Sequence, residues 1–170
     1  MTYRDDACIT FANTLRTLDG LAARAEAADL GDDALAAKLA DDMFALETQF
    51  RIALNQVIIA LTRAAGAAIP LDETPYGSWP EVRARLEAVR TQVPDWAQKE
   101  WLAPDEQVDM TLPNGMRFVM SAQEFVRDWS MPNLYFHASM AYALLRRDGL
   151  ALGKADFLPH MARYAARPAE

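Results

Sequence analysis

The sequence predicts an all-α protein, a four-helix bundle with one small β-hairpin inserted before the last helix. Two observations carry this. Apolar residues recur at three- and four-residue spacings through four separate stretches, the mark of helices that bury one face. The pattern changes character only around Pro113-Asn114-Gly115, where Asn-Gly is a strong hairpin signal.

Phe11, Leu15, Leu18 and Ala22 mark a first helix over 3–28, with Asp5 and Asp6 in its first turn. Leu30-Gly31-Asp32-Asp33 breaks it, and Asp32 or Asp33 can cap the next helix. From there Leu35, Leu39, Met43, Leu46, Phe50, Ala53, Val57 and Leu61 keep the helical period to Gly66. That predicts a second helix of about 30 residues, a rod of roughly 45 Å. Residues 67–77, with Pro70 and Pro75, form a loop. Ser78-Trp79-Pro80-Glu81 opens a third helix with a cap, an early proline and an acid in the first turn, and Pro94 ends it.

The hairpin is expected over 108–112 and 116–120. Ser121 then caps a short helical stretch, 122–129, that runs continuously or with a kink into the last helix. The last helix spans 130–147, with Ser130 as N-cap, Pro132 in the first turn, Arg146 and Arg147 in the last, and Gly149 as the stop. Phe136, Met140, Ala143 and Leu144 make its apolar stripe; His137, Ala141 and Leu144 form the neighbouring row. A tail follows, with a short helix near 159–165. No repeat or composition shift divides the chain, so residues 1–170 are expected to form one domain.

Composition excludes several classes of function. A formal charge of −7 argues against nucleic acid and against an anionic membrane surface, both of which need a basic footprint. The strongest apolar run, Val57-Ile58-Ile59-Ala60-Leu61, is core-sized, far short of the ~18 residues of a membrane span. Cys8 is the one cysteine, so no intrachain disulfide can form, and the N-terminus has no basic-then-apolar signal pattern; a cytoplasmic protein is expected.

Few residues point to chemistry. His137 is either a ligand or acid–base group or, more plainly, a hydrogen-bonded histidine of a bundle interior. Asp42, beside Asp41 and four residues after Lys38, reads as a pocket carboxylate or a solvated face. Gln49 interrupts nothing in the apolar stripe, so a surface place is the plain reading and a pocket place the sharper one. Tyr135 and Tyr142, seven apart, are expected to pack with bonded hydroxyls. Cys8 reads as a small buried residue, the methionines as irregular core filler. Lys154 and Asp156 fit a local ion pair or turn, not a phosphate site, because no Gly-x-x-x-x-Gly-Lys pattern surrounds them. His160 stands in the tail, off any pattern.

Three stretches together resemble one family: Asp42-Met43-Phe44, Pro132-Asn133-Leu134-Tyr135-Phe136-His137 with Ala141-Tyr142-Ala143-Leu144-Leu145-Arg146, and Gly149 with Leu152-Gly153-Lys154-Ala155-Asp156-Phe157. They resemble an uncharacterised, domain-of-unknown-function branch of the DinB/YfiT-like superfamily. The resemblance implies an up-down-down-up four-helix bundle, often a homodimer. In many members it implies a divalent metal held by three histidines, one on the second helix and a His-x-x-x-His pair on the last. Characterised relatives include thiol-dependent transferases and isomerases. Here His137 can take the first place of the pair, but Ala141 stands four residues on, and the second helix has no histidine. One histidine and one aspartate fall short of a zinc or nickel site.

The expectation is therefore a bundle that has lost the metal site and carries no cofactor. Asp42, Gln49, His137 and Tyr142 are its candidate pocket, a small molecule or partner its ligand, and a homodimer its state. The alternative is a metal-dependent thiol transferase or isomerase-like enzyme using His137 and Asp42, because a carboxylate can replace a histidine at a metal. Whether the chain is an enzyme stays open.

Overall fold

A computed structural model describes residues 2–166; the span of 1–170 expected as one domain extends past these at both ends. Helix α1, Tyr3–Ala27, begins with a capping box in which the Thr2 hydroxyl accepts from the Asp5 N–H and the Asp5 carboxylate accepts from the Thr2 N–H. Helix α2 is Leu46–Ala65 and ends at Gly66, whose φ of +66 suits a residue without a Cβ. Helix α3, Trp79–Arg90, carries the expected Ser78 cap. It stops before Pro94, which instead starts a separate single turn, Val93–Trp96. Helix α4, Met131–Arg147, ends at Gly149, φ +92, with the Leu150 N–H reaching back to the Leu145 carbonyl.

Side-chain contacts at the helix ends fix the directions. Arg83, near the start of α3, pairs with Asp19 and Glu26 toward the end of α1, so these two run opposite ways. Arg24 of α1 reaches Ala151 and Asp156 beyond the end of α4, so those two run alike. Glu47 at the start of α2 accepts from the Tyr76 N–H just before α3, so α2 and α3 are parallel. The order is up-down-down-up, with α1 packed on α3 and α4, and α2 packed on α4 and α3. Phe11, Leu15, Leu18, Phe50, Leu54, Ile58, Leu86 and Leu134 fill the interior.

The second helix is shorter than its periodicity predicts. Only a 3₁₀ turn, Asp32–Ala36, forms at the expected start, and 37–45 is non-helical. Long-range bonds hold this segment open. The Trp79 indole donates to the Leu30 carbonyl at 2.8 Å, the Trp79 N–H to Asp32 at 3.0 Å, the Leu46 N–H to the Ala37 carbonyl at 2.8 Å, and the Arg147 guanidinium to the Lys38 carbonyl. Tertiary contacts override a periodic pattern in this way, because propensity is a weak term. Leu39, expected inside, is exposed, and so is Phe44.

The hairpin is present: β1, Gln107–Thr111, pairs antiparallel with β2, Arg117–Ser121, Val108 opposite Met120 and Met110 opposite Phe118. Its loop is wider than a two-residue Asn-Gly turn. Pro113 has no N–H to close that turn, so Leu112 closes it, donating to the Met116 carbonyl while the Gly115 N–H donates back to Leu112. Gly115, at φ +85, absorbs the reversal.

From the Ser121–Glu124 capping box the chain runs without interruption into α4. An α-turn, Ala122–Glu124, passes into a π-helical segment, Phe125–Ser130. Ser130 is thus not the predicted N-cap; it lies inside the rod with helical dihedrals and makes no cap bond. Pro132 accounts for the wider turn, since its ring crowds the carbonyl four residues back and it donates nothing. The Met131 N–H bonds five residues back to Val126, and the Asn133 amide takes the Trp129 carbonyl at 2.7 Å. On α4 the buried face is Leu134, His137, Ala138, Ala141, Leu144 and Leu145. The predicted stripe through Phe136 is mostly outside, and the His137 row is inside.

Candidate functional site

The break before α2 builds the site. Because 37–45 is not helical, Gln49 lies in the first turn of α2, close to the Phe44 carbonyl, and its Nε2 donates to that oxygen at 3.1 Å. Only the nitrogen of an amide can donate, so the other end of the group is fixed as well. Oε1 faces His137 Nδ1 at 2.8 Å. Nδ1 therefore carries the proton and donates, and Nε2 carries the lone pair. Gln49 is 1% exposed and His137 7%. The predicted surface place for Gln49 is overturned: its partner is 88 residues away in sequence.

Burial pushes the His137 imidazole down to about 4, so the ring is neutral across the physiological range. Nε2 makes no hydrogen bond to any described residue. Two phenyl rings neighbour the imidazole. Phe136 stands edge-on with centroids 5.2 Å apart, and Phe44 is tilted at 6.5 Å. These rings are 53% and 57% exposed, apolar surface beside a buried imidazole.

The other candidates do not join this pair. Asp42 is exposed in the turn before α2 and makes no hydrogen bond or ion pair among the described residues. Tyr142 is half-buried and lies edge-on to Phe157 of the tail, centroids 5.7 Å apart. Neither its hydroxyl nor that of Tyr135 bonds to a described residue, contrary to expectation. Cys8 is buried, and burial pushes its thiol up to about 11, so it is no nucleophile at neutral pH. Asp156 stabilises a turn, accepting from the Gly153 N–H at 2.7 Å; its ion-pair partner is Arg24, not Lys154.

A three-histidine metal centre does not fit these residues. Ala141, a methyl group with no exposure, occupies the place of a second imidazole one turn beyond His137. Gln49, the residue of α2 that meets His137, offers an amide oxygen already engaged by Nδ1–H. Among the described residues no group of three His, Cys, Asp or Glu side chains lies close enough to hold a metal ion. One imidazole nitrogen remains, where structural and catalytic sites need at least three protein ligands.

Two further polar groups were not read as interior from the sequence. Gln56 of α2 and Ser130 just before α4 lie seven residues from Gln49 and His137, and both are buried; Gln56 Oε1 and Ser130 Oγ have no partner among the described residues. Elsewhere Asp72 anchors the loop before α3. Its carboxylate takes Arg85 at 2.6 Å and the Tyr76 hydroxyl, its carbonyl takes Asn55 at 3.0 Å, and its N–H donates back to Asn55 at 3.0 Å. Burial and then the Asp72 contact raise the Tyr76 hydroxyl far above its ordinary value. This cluster clamps the loop to α2 and α3.

Residues 5–158 match the family described as a domain of unknown function, DUF1993. A crystal structure of a DinB family member protein from Shewanella denitrificans superposes on the chain with a TM-score of 0.74. The two are 28% identical, over 96% of this chain and 92% of that one. No curated protein sequence matches.

Proposed function

The chain belongs to the DUF1993 family, and from that premise we propose that it is a DinB-like binding protein without a three-histidine metal centre, a homodimer that takes a small molecule against His137. The observation that carries this is the fixed amide of Gln49, which leaves a neutral imidazole with a free Nε2 lone pair on a ring that neighbours two exposed phenyl rings. Such a group accepts one hydrogen bond. The ligand it suits presents a donor to Nε2 and an apolar or aromatic edge to Phe44 and Phe136. A single buried thiol and the absence, among the described residues, of any helix able to cross a membrane fit work in the cytoplasm. Nothing favours the thiol-transferase alternative, since Asp42 makes no bond to His137.

The test uses p-cresol, an aromatic ring with an O–H donor, against 4-methylanisole, the same ring with the donor blocked. Histidine ring nitrogens are followed by NMR in selectively ¹⁵N-labelled protein. Saturable movement of the His137 Nε2 resonance with p-cresol alone supports the reading. Equal response to both compounds, or none to either, refutes it. Sedimentation equilibrium of the untagged chain is expected to give twice the monomer mass.

A further inference from the structure

A cavity of about 250 Å³ lies away from His137, between α1, the start of α4 and the tail. It is built, not incidental. The tail after Gly149 is tied across the bundle by Arg24 to Asp156 at 2.8 Å and to the Ala151 carbonyl at 2.8 Å, and by the Thr17 hydroxyl to the Phe157 carbonyl at 3.1 Å. Beyond these ties the 3₁₀ turn Pro159–Tyr164 passes over α1 with no residue fully buried, and the space beneath His160 stays open.

The lining has a consistent chemistry. The Thr14 hydroxyl donates to the Thr10 carbonyl in its own helix, and the single proton of the Thr17 hydroxyl is shared between the Asn13 and Phe157 carbonyls. The hydroxyls of Thr10 and Tyr135, the amide of Asn13 and the imidazole of His160 bond to no described residue, and His160 Nδ1 is cut off from solvent as well. No Asp, Glu, Lys or Arg lines the cavity. Phe157 and Leu158 supply an apolar wall.

We propose that this cavity binds a small uncharged molecule bearing both a hydrogen-bond donor and an acceptor, of the carboxamide or hydroxyl class, with a flat apolar face against Phe157. An ion there would lose its water without meeting an opposite charge, whereas an amide or hydroxyl exchanges its water for the unpaired groups of the wall. The volume is below the roughly 300 Å³ at which pockets for drug-sized ligands begin, which sets a ligand the size of one ring with one substituent. The site is independent of the Gln49–His137 pair.

The probe is benzamide, compared with benzoate and benzylammonium, which have nearly the same shape and carry opposite charges. Each is titrated into the full ¹⁵N-labelled chain, following the Asn13 and Phe157 amides and the His160 ring. Benzamide is expected to move these resonances saturably, with the two ions at least about tenfold weaker. Asn13→Leu and, separately, His160→Phe are each expected to weaken benzamide by about tenfold, the scale of one lost hydrogen bond, while the His137 resonances stay in place. Should one variant not fold, the other and the charge series on the parent chain carry the test. Benzamide leaving the cavity resonances unmoved, benzoate or benzylammonium binding as tightly, or a folded variant binding undiminished would each overturn the proposal.

Discussion

Acidification is expected to destabilise this protein through one imidazole, and the size of the effect follows from where His137 sits. In the unfolded chain the ring has an ordinary pKa near 6.5, whereas burial against α2 lowers it to about 4 in the fold. Below pH 6.5 the unfolded state binds a proton that the native state refuses, so stability falls as pH drops through the window from 6.5 to about 4 and then levels. The loss from this group is about 2 kcal/mol at pH 5 and about 3 kcal/mol below pH 4, kept under the full shift because the Nε2 edge is not sealed from water. His137→Leu removes the titration but orphans Gln49 Oε1, so the parent and the double variant Gln49→Leu/His137→Leu form the cleaner comparison. Both partners are then replaced by apolar groups of similar size. Urea unfolding at pH 7 and pH 5 measures the difference. Carboxylates such as Asp109 and Glu124 titrate alike in both proteins, so they cancel. The parent should lose about 2 kcal/mol more than the double variant on going to pH 5. Equal losses would show that His137 protonates as readily folded as unfolded, and the fixed neutral tautomer would fall with it.

Other consequences can be checked singly. Ser130→Ala removes a hydroxyl with no exposure and no partner among the described residues, and is expected to raise stability by about 1 kcal/mol in urea titration; a loss of that size would mean the hydroxyl has a partner. Asp72→Ala strips Arg85, Tyr76 and the loop of their common acceptor, and should lower stability by about 2–3 kcal/mol with faster proteolysis between residues 67 and 77. Untagged protein purified without chelator is expected to carry zinc or nickel at far below one ion per chain by elemental analysis.

How much of this was legible depends on the range of the forces involved. The cap of α3, the stop at Gly149 and the hairpin rest on neighbours within a few residues, and all three stand where the sequence puts them. The start of α2 does not. Leu35, Leu39 and Met43 keep a helical period, but from far along the chain Trp79 holds the Leu30 carbonyl and the Asp32 carboxylate at the head of that segment and Arg147 holds the Lys38 carbonyl within it. The two apolar rows of α4 pose a different difficulty. Phe136 is the larger hydrophobe, yet only the placement of α2 decides which row turns inward, and the row with the histidine does so. Gln49 was ambiguous for the same reason: beside an apolar stripe a glutamine looks like surface until its partner arrives from the other end of the chain. The Asp72 clamp gave no local sign, because a loop with two prolines says nothing of the side chains it will meet.

The two polar layers between α2 and α4 bear on one another. Gln49 and His137 satisfy each other near one end of the pair of helices, while two turns further along, at the π-helical segment, Gln56 Oε1 and Ser130 Oγ are unpartnered among the described residues. A core selected for stability alone would hold apolar residues in both layers, since an unpaired buried group costs about 1–3 kcal/mol. The inner layer is thus a standing cost, and the turn around Pro132 is what places Ser130 there. The outer layer needs no such allowance: its hydrogen bonds close on Nδ1 and on the Phe44 carbonyl, and only Nε2 is left over. A histidine kept solely for packing would have no reason to hold that nitrogen free on a ring beside two exposed phenyls, with its amide partner anchored so that the tautomer cannot change. That asymmetry between the layers is the physical ground for seeking a ligand at His137 and not at Ser130.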